Sequence, residues 1–168
     1  MIRIINLFFI IFFLLSAKAY SLIEIDITRG NLDPLPIAVS PLFQDDNSKR
    51  NSINELKIEN VGSEISLVVE NNLKISGLFN PLSKEAFLQK PDIAHLKPRF
   101  EDWALIKAQA LITGKVTLED KKLKVEFRLW DILAGREMMA LAFTTVPSNW
   151  RRVGHIISDK VYERLTGE

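Results

Sequence analysis

The sequence predicts an α/β domain: one mixed sheet with helices packed on it. Three observations predict it. Residues 109–145 read as three successive extended arms joined by short turns, the second alternating apolar and polar side chains, the signature of an antiparallel meander. Residues 54–76 and 150–165 instead repeat their apolar positions at helical spacing. Short extended segments precede and separate these helices, so strands and helices are interleaved early and strands run together late. The element order is β-β-α-β-α-β-β-β-α, which calls for a single sheet combining parallel and antiparallel pairs.

In chain order, "LIEIDIT" (22–28) places Ile23, Ile25 and Ile27 on one side of a strand. The turn-rich "RGNLDPLP" leads to "IAVSPLF" (37–43), read as a buried strand, and then to the polar loop "QDDNSKRNS". From Asn54 to Ser76, residues Ile58, Val61, Ile65, Val68, Val69 and Leu73 fall on one helical face. Gly77 stops that helix, as a residue free to take positive φ does. "LFNPL" (78–82) is a short extended piece. Ser83 is a candidate N-cap for about a turn and a half of helix. "KPDIAHLKPRF" is a loop with two prolines, and "EDWALIKA" (101–108) is a helix with acids in its first turn. The hairpin arms 109–119 and 122–133 flank the turn Asp120-Lys121. In the second arm Leu123, Val125, Phe127 and Leu129 point one way and Lys122, Lys124, Glu126 and Arg128 the other. Trp130 falls on the charged side, where a helix is expected to cover it. Ala134-Gly135 turns the chain into the third arm. "PSNW" opens the last helix, whose core stripe is Trp150, Val153, Ile157, Val161 and Leu165.

The N-terminus carries one charge, Arg3, then an apolar run from Ile4 to Leu15 interrupted only by Asn6, then Ser16-Ala17-Lys18-Ala19. That is the pattern of a cleavable secretory signal, with cleavage expected between Ala19 and Tyr20. An uncleaved anchor is the weaker reading, because a run of about 12 residues is short of the roughly 20 a spanning helix needs. Residues 20–168 then form one domain of roughly 150 residues, enough for a proper core. Periplasmic location follows, with no membrane embedding after cleavage.

Composition excludes several functions. The chain has no cysteine, so disulfides, thiol catalysis, Cys-based zinc sites and lipid attachment through cysteine are all out. Its 22 basic and 21 acidic residues give a net charge of +1, no field to gather nucleic acid. "TGKVT" (113–117) fails as a phosphate loop. Gln109 stands where the first glycine belongs, Val116 follows Lys115, and the stretch lies within a strand. Gly114 reads instead as a strand glycine that admits a packed neighbour. His155 and Asp159 lie four apart on the last helix, but Ser158 points about 100° away from Asp159, and no nucleophile elbow exists. The only histidines, His95 and His155, lack metal-ligand spacing. The acid pairs Glu101-Asp102 and Glu119-Asp120 sit where a helix start and a turn favour acids. Catalytic, cofactor and metal sites are therefore expected to be absent. What stands out is the polar face of the last helix: Arg151, Arg152, His155 and Asp159, with Glu163 and Arg164. It reads either as a solvated face or as a docking surface.

The stretch "WRRVGHIISDKVYERLTGE" resembles the helix that closes the N-terminal domain of the TolB family, the periplasmic component of the Tol–Pal system. Trp150, Arg151, Arg152, His155, Asp159, Tyr162 and Leu165-Thr166-Gly167 carry the likeness. "IEIDITRG" (23–30), "LPIAVSPLF" (35–43), "GLFNPL" (77–82) and "FRLWD" (127–131) are similar to the family's N-terminus, second strand, post-helix stretch and hairpin arm, in the family's order. The resemblance implies a mixed five-stranded sheet, like an anticodon-binding domain. It implies non-catalytic work: linking inner-membrane TolA to outer-membrane Pal, supporting outer-membrane invagination in division and envelope integrity, and serving bacteriocin import. It places the contact with the TolA C-terminal domain in the N-terminal segment, here Leu22, Ile23, Glu24, Ile25, Asp26, Ile27 and Thr28. Family members continue past this helix into a six-bladed propeller that carries most of the Pal contact. This sequence ends at Glu168 with no propeller, so Arg151, Arg152, His155 and Asp159 are expected to form the face on which a propeller packs. The rival readings are a stand-alone periplasmic peptide- or lipoprotein-binding module and a small periplasmic hydrolase.

Overall fold

The computed structural model describes Ile23 and residues 33–44, 60–119 and 121–167. Its elements are β1 (Leu35–Val39), β2 (Phe43–Gln44), α1 (Val61–Ile75), β3 (Phe79–Pro81), α2 (Pro91–Ala94), α3 (Phe100–Leu105), β4 (Ala110–Glu119), β5 (Lys122–Asp131), β6 (Arg136–Thr145) and α4 (Trp150–Thr166). The sheet runs β3-β1-β4-β5-β6, with β2 also pairing with β4. β1 is parallel to β3 and β4, while β4, β5 and β6 form the antiparallel meander. The sheet is thus mixed and has six strands where the resemblance implies five; the shortest is the two-residue β2.

β2 exists because Pro41 interrupts the expected strand 37–43. Proline has no N–H to give a ladder. The chain leaves the sheet at Ser40 and rejoins the same neighbour at Phe43, opposite Lys115. The break is stitched to α1 by Ser66, whose hydroxyl accepts the Leu42 N–H at 2.9 Å and faces the Ser40 and Gly62 carbonyls at 3.1 and 3.0 Å. α1 begins later than its apolar spacing predicts. Asn60 is extended and its side chain caps the Ser63 N–H at 2.9 Å, so the helix starts at Val61; residues 54–59, including Ile58, lie outside the described residues. Ser83 caps a single 3₁₀ turn (Lys84–Ala86), shorter than expected. The proline loop contains the four-residue α2, which Pro91 opens from its first position.

Two cores lie on opposite faces of the sheet. On one, α1 and α4 pack side by side over Ile37, Val39, Ile112, Val125, Phe127 and Leu129. The helices approach closely at Gly154, where an added Cβ would lie 2.8 Å from a Val68 methyl. On the other face Trp103, Leu111, Trp130 and Ile132 form a smaller core under α2, α3 and their loops. Trp130 is covered as its place on the charged side required. Phe100 meets it edge-on at 5.9 Å, and its indole N–H donates to Thr113 Oγ1 at 2.8 Å. No helix among the described residues is long and apolar enough to cross a membrane.

Candidate functional site

The N-terminal segment comes first in the chain. Leu22 and residues 24–28 lie outside the described residues, as do Ala19 and Tyr20. Ile23 is half-buried against the larger core, and its N–H lies 3.4 Å from Asp131 Oδ2. Asp131 is fully buried at the end of β5, and its other oxygen accepts the Ala134 N–H at 2.8 Å. One carboxylate thus shapes the β5–β6 turn and meets the start of the segment.

The polar face of α4 is exposed at Arg151, Arg152, His155 and Asp159, but these four do not form one surface. His155 and Asp159 line a cleft of about 400 Å³ with Asn72, Ser76 and Tyr162, between α4 and the end of α1. Arg152 lines a separate groove of about 370 Å³ with Phe143, Thr145, Val153 and Ile156, between α4 and β6. Arg151 lies over its neighbour Trp150, 4.6 Å from the ring centre. Helical geometry explains the split: residues 152 and 155 point about 60° apart, enough to serve different neighbours.

Nor do the polar groups converge on chemistry. Asn72 Nδ2 sits 2.8 Å from His155 Nδ1 and donates to Ser158 Oγ at 3.1 Å. Ser158 is buried and donates to the Gly154 carbonyl at 2.9 Å, so its hydroxyl is committed to helix backbone rather than aimed at His155. His95 stacks on Phe43 at 4.6 Å, far in sequence from any second ligand. Asp102 accepts the Arg99 Nε–H at 2.7 Å. Among the described residues no group of three His, Asp or Glu could hold a metal. His155→Ala is therefore expected to leave the fold intact, moving the melting midpoint by about 2 °C or less, as exposed positions do. Thermal melts followed by circular dichroism check this, and a peptidoglycan- or ester-hydrolysing activity that vanished with His155 would overturn it.

The outer edge of β6 was not legible as a feature. Alternation identifies a strand but not its place in the sheet. Its position as the last arm of a meander was the available signal.

Residues 23–138 match the family model described as the TolB amino-terminal domain. The chain belongs to the TolB family. It is 75% identical, over 160 residues and 95% of its length, to the Tol-Pal system protein TolB of Pelagibacter ubique (strain HTCC1062). It spans 36% of the length of that relative. The crystal structure of TolB from Acinetobacter baumannii superposes with a TM-score of 0.61 at 23% identity, covering 80% of this chain and 29% of that one. That likeness confirms the fold: an α/β domain of the TolB amino-terminal type. The TolB family is a Tol-Pal family rather than a known enzyme family.

Proposed function

We propose that this chain is a non-enzymatic, periplasmic interaction component of the Tol-Pal system. It takes part in linking inner-membrane TolA with outer-membrane Pal, its own contact being with TolA and the Pal contact falling mainly to the family's propeller, and so supports outer-membrane invagination in division and envelope integrity. The observation that carries the reading is the 75% identity, across 95% of the chain, to a Tol-Pal system TolB. In this reading residues 1–19 are an export signal cut between Ala19 and Tyr20, and Leu22–Thr28 contact the TolA C-terminal domain. Arg151, Arg152, His155 and Asp159 serve as a domain interface, with Arg152 toward β6 and His155 and Asp159 toward the end of α1. The alternation of Leu22–Thr28 suits strand addition, in which backbone hydrogen bonds supply affinity and alternate side chains supply specificity.

Removing residues 20–28 is expected to weaken binding of the TolA C-terminal domain at least about 100-fold, the scale of a lost strand of backbone bonds. The sheet and α4 should stay folded. Calorimetry with a cognate TolA domain, alongside a circular-dichroism spectrum, checks both parts. Unchanged affinity in a folded deletion variant would place the contact elsewhere.

A further inference from the structure

β6 is ten residues long and forms one edge of the sheet; among the described residues nothing pairs with its outer side. Free edges of this length template association, and proteins blunt them with bulges, charges or a covering element. Here the protection stops halfway. Near the start of β6 the ladder to β5 slips at Leu129/Trp130, a bulge that twists the edge, and Arg164 reaches over with its Nε 3.4 Å from the Met138 carbonyl. From Ala140 to Thr145 neither device is present. Ala140, Leu141 and Ala142 are exposed in a row, and the apolar groove floored by Phe143, Val153 and Ile156 runs alongside.

The charge beside this open half selects the occupant. Arg152, Ile156, Lys160 and Arg164 recur every four residues, so they form a stripe down the side of α4 that overlooks β6. Three of the four are cations: Arg152 lines the groove itself, Arg164 lies beside the Met138 carbonyl, and Lys160 is paired with Glu163 at 2.6 Å. A second copy of the chain paired edge to edge would bring two such stripes together, a like-charge arrangement that disfavours self-association. We propose that the Ala140–Thr145 edge takes, as an added strand, an extended segment of a partner protein in which apolar and acidic residues alternate. Its apolar side chains enter the groove, its carboxylates meet the α4 cations, and its backbone completes the β6 ladder. The proposal rests on described residues of β6 and α4 alone, and its test reads binding at residues 140–145 rather than the TolA contact.

The test uses the whole chain and two fluorescein-labelled heptapeptides, one alternating valine with glutamate and one alternating valine with lysine. Anisotropy should show the glutamate peptide binding at least about tenfold more tightly than the lysine peptide. The double variant Arg152→Glu/Lys160→Glu, both at the surface, should reverse that order. Hydrogen exchange on the unsubstituted chain gives a readout that no folding defect can mimic: the glutamate peptide should slow exchange of amides within 140–145. Equal binding of the two peptides, an order that the double variant leaves unchanged, or protection appearing only outside β6 would each overturn the proposal.

Discussion

Trp103→Ala is expected to lower the stability of the domain by about 3–5 kcal/mol, the cost of deleting a large buried aromatic. Trp103 is 1% exposed and is the largest fully buried side chain among the described residues. It is also the tie of an otherwise irregular region. Its indole N–H donates to Gln89 Oε1 at 3.0 Å, and the same oxygen accepts the Arg99 N–H at 2.9 Å. Gln89 Nε2 donates to the Lys97 carbonyl at 3.3 Å. Phe87 meets the ring edge-on at 5.0 Å. The truncation therefore opens a cavity and strips a partner from a buried amide that organises residues 87–99. Trp103→Phe separates the two effects: it keeps most of the ring volume and removes one hydrogen bond from an acceptor that retains another, for a cost of about 1–2 kcal/mol. Urea unfolding checks both variants. A cost below about 1 kcal/mol for the alanine would mean that the smaller core contributes little, and that α2 and α3 cover the sheet without anchoring to it.

What the sequence yielded, and what it withheld, follows the range of the forces involved. The β4–β5–β6 meander was legible because alternation, the Asp120-Lys121 turn and the Ala134-Gly135 turn are all local. So was the face of α1, since Val61, Ile65, Val68, Val69 and Leu73 are all buried. Its start was not, because apolar spacing continued upstream of Asn60 while the cap that ends it is a matter of one side chain bonding the Ser63 N–H. α2 is too short to show a period. The split of β1 and β2 turned on Pro41, whose missing donor matters only once the strand has neighbours on both sides. On α4 the polar residues were visible, but their division between two clefts depends on α1 lying on one flank and β6 on the other. That juxtaposition is made by contacts distant in sequence.

Gly114→Ala is expected to cost about 3 kcal/mol or more, an overpacking penalty at the upper end because the obstacle is backbone. Gly114 sits within β4 opposite Phe127 of β5. A Cβ there would lie 2.2 Å from the Glu126 carbonyl oxygen, 2.8 Å from a Leu42 methyl and 3.0 Å from the Phe127 Cα. None of the three can yield cheaply. The Glu126 carbonyl and the Phe127 Cα belong to a ladder that runs the length of the hairpin, so moving them disturbs the pairing of the central strands. Leu42 is 3% exposed, and its N–H is bound to Ser66 at 2.9 Å in the link between β1 and β2. The glycine is therefore where three pieces of the fold converge: the meander, the broken first strand and, through Ser66, α1. Lys115→Ala, the adjacent residue in the same strand, serves as the control, with an expected cost of about 1 kcal/mol or less from lost strand preference. Denaturation midpoints of the two variants decide between close packing and generic strand weakening. Comparable losses would mean that β4 tolerates a methyl at Gly114 by small shifts. A loss confined to Gly114→Ala, together with slowed refolding of the hairpin, would show the close approach of β5 to be a condition of the fold.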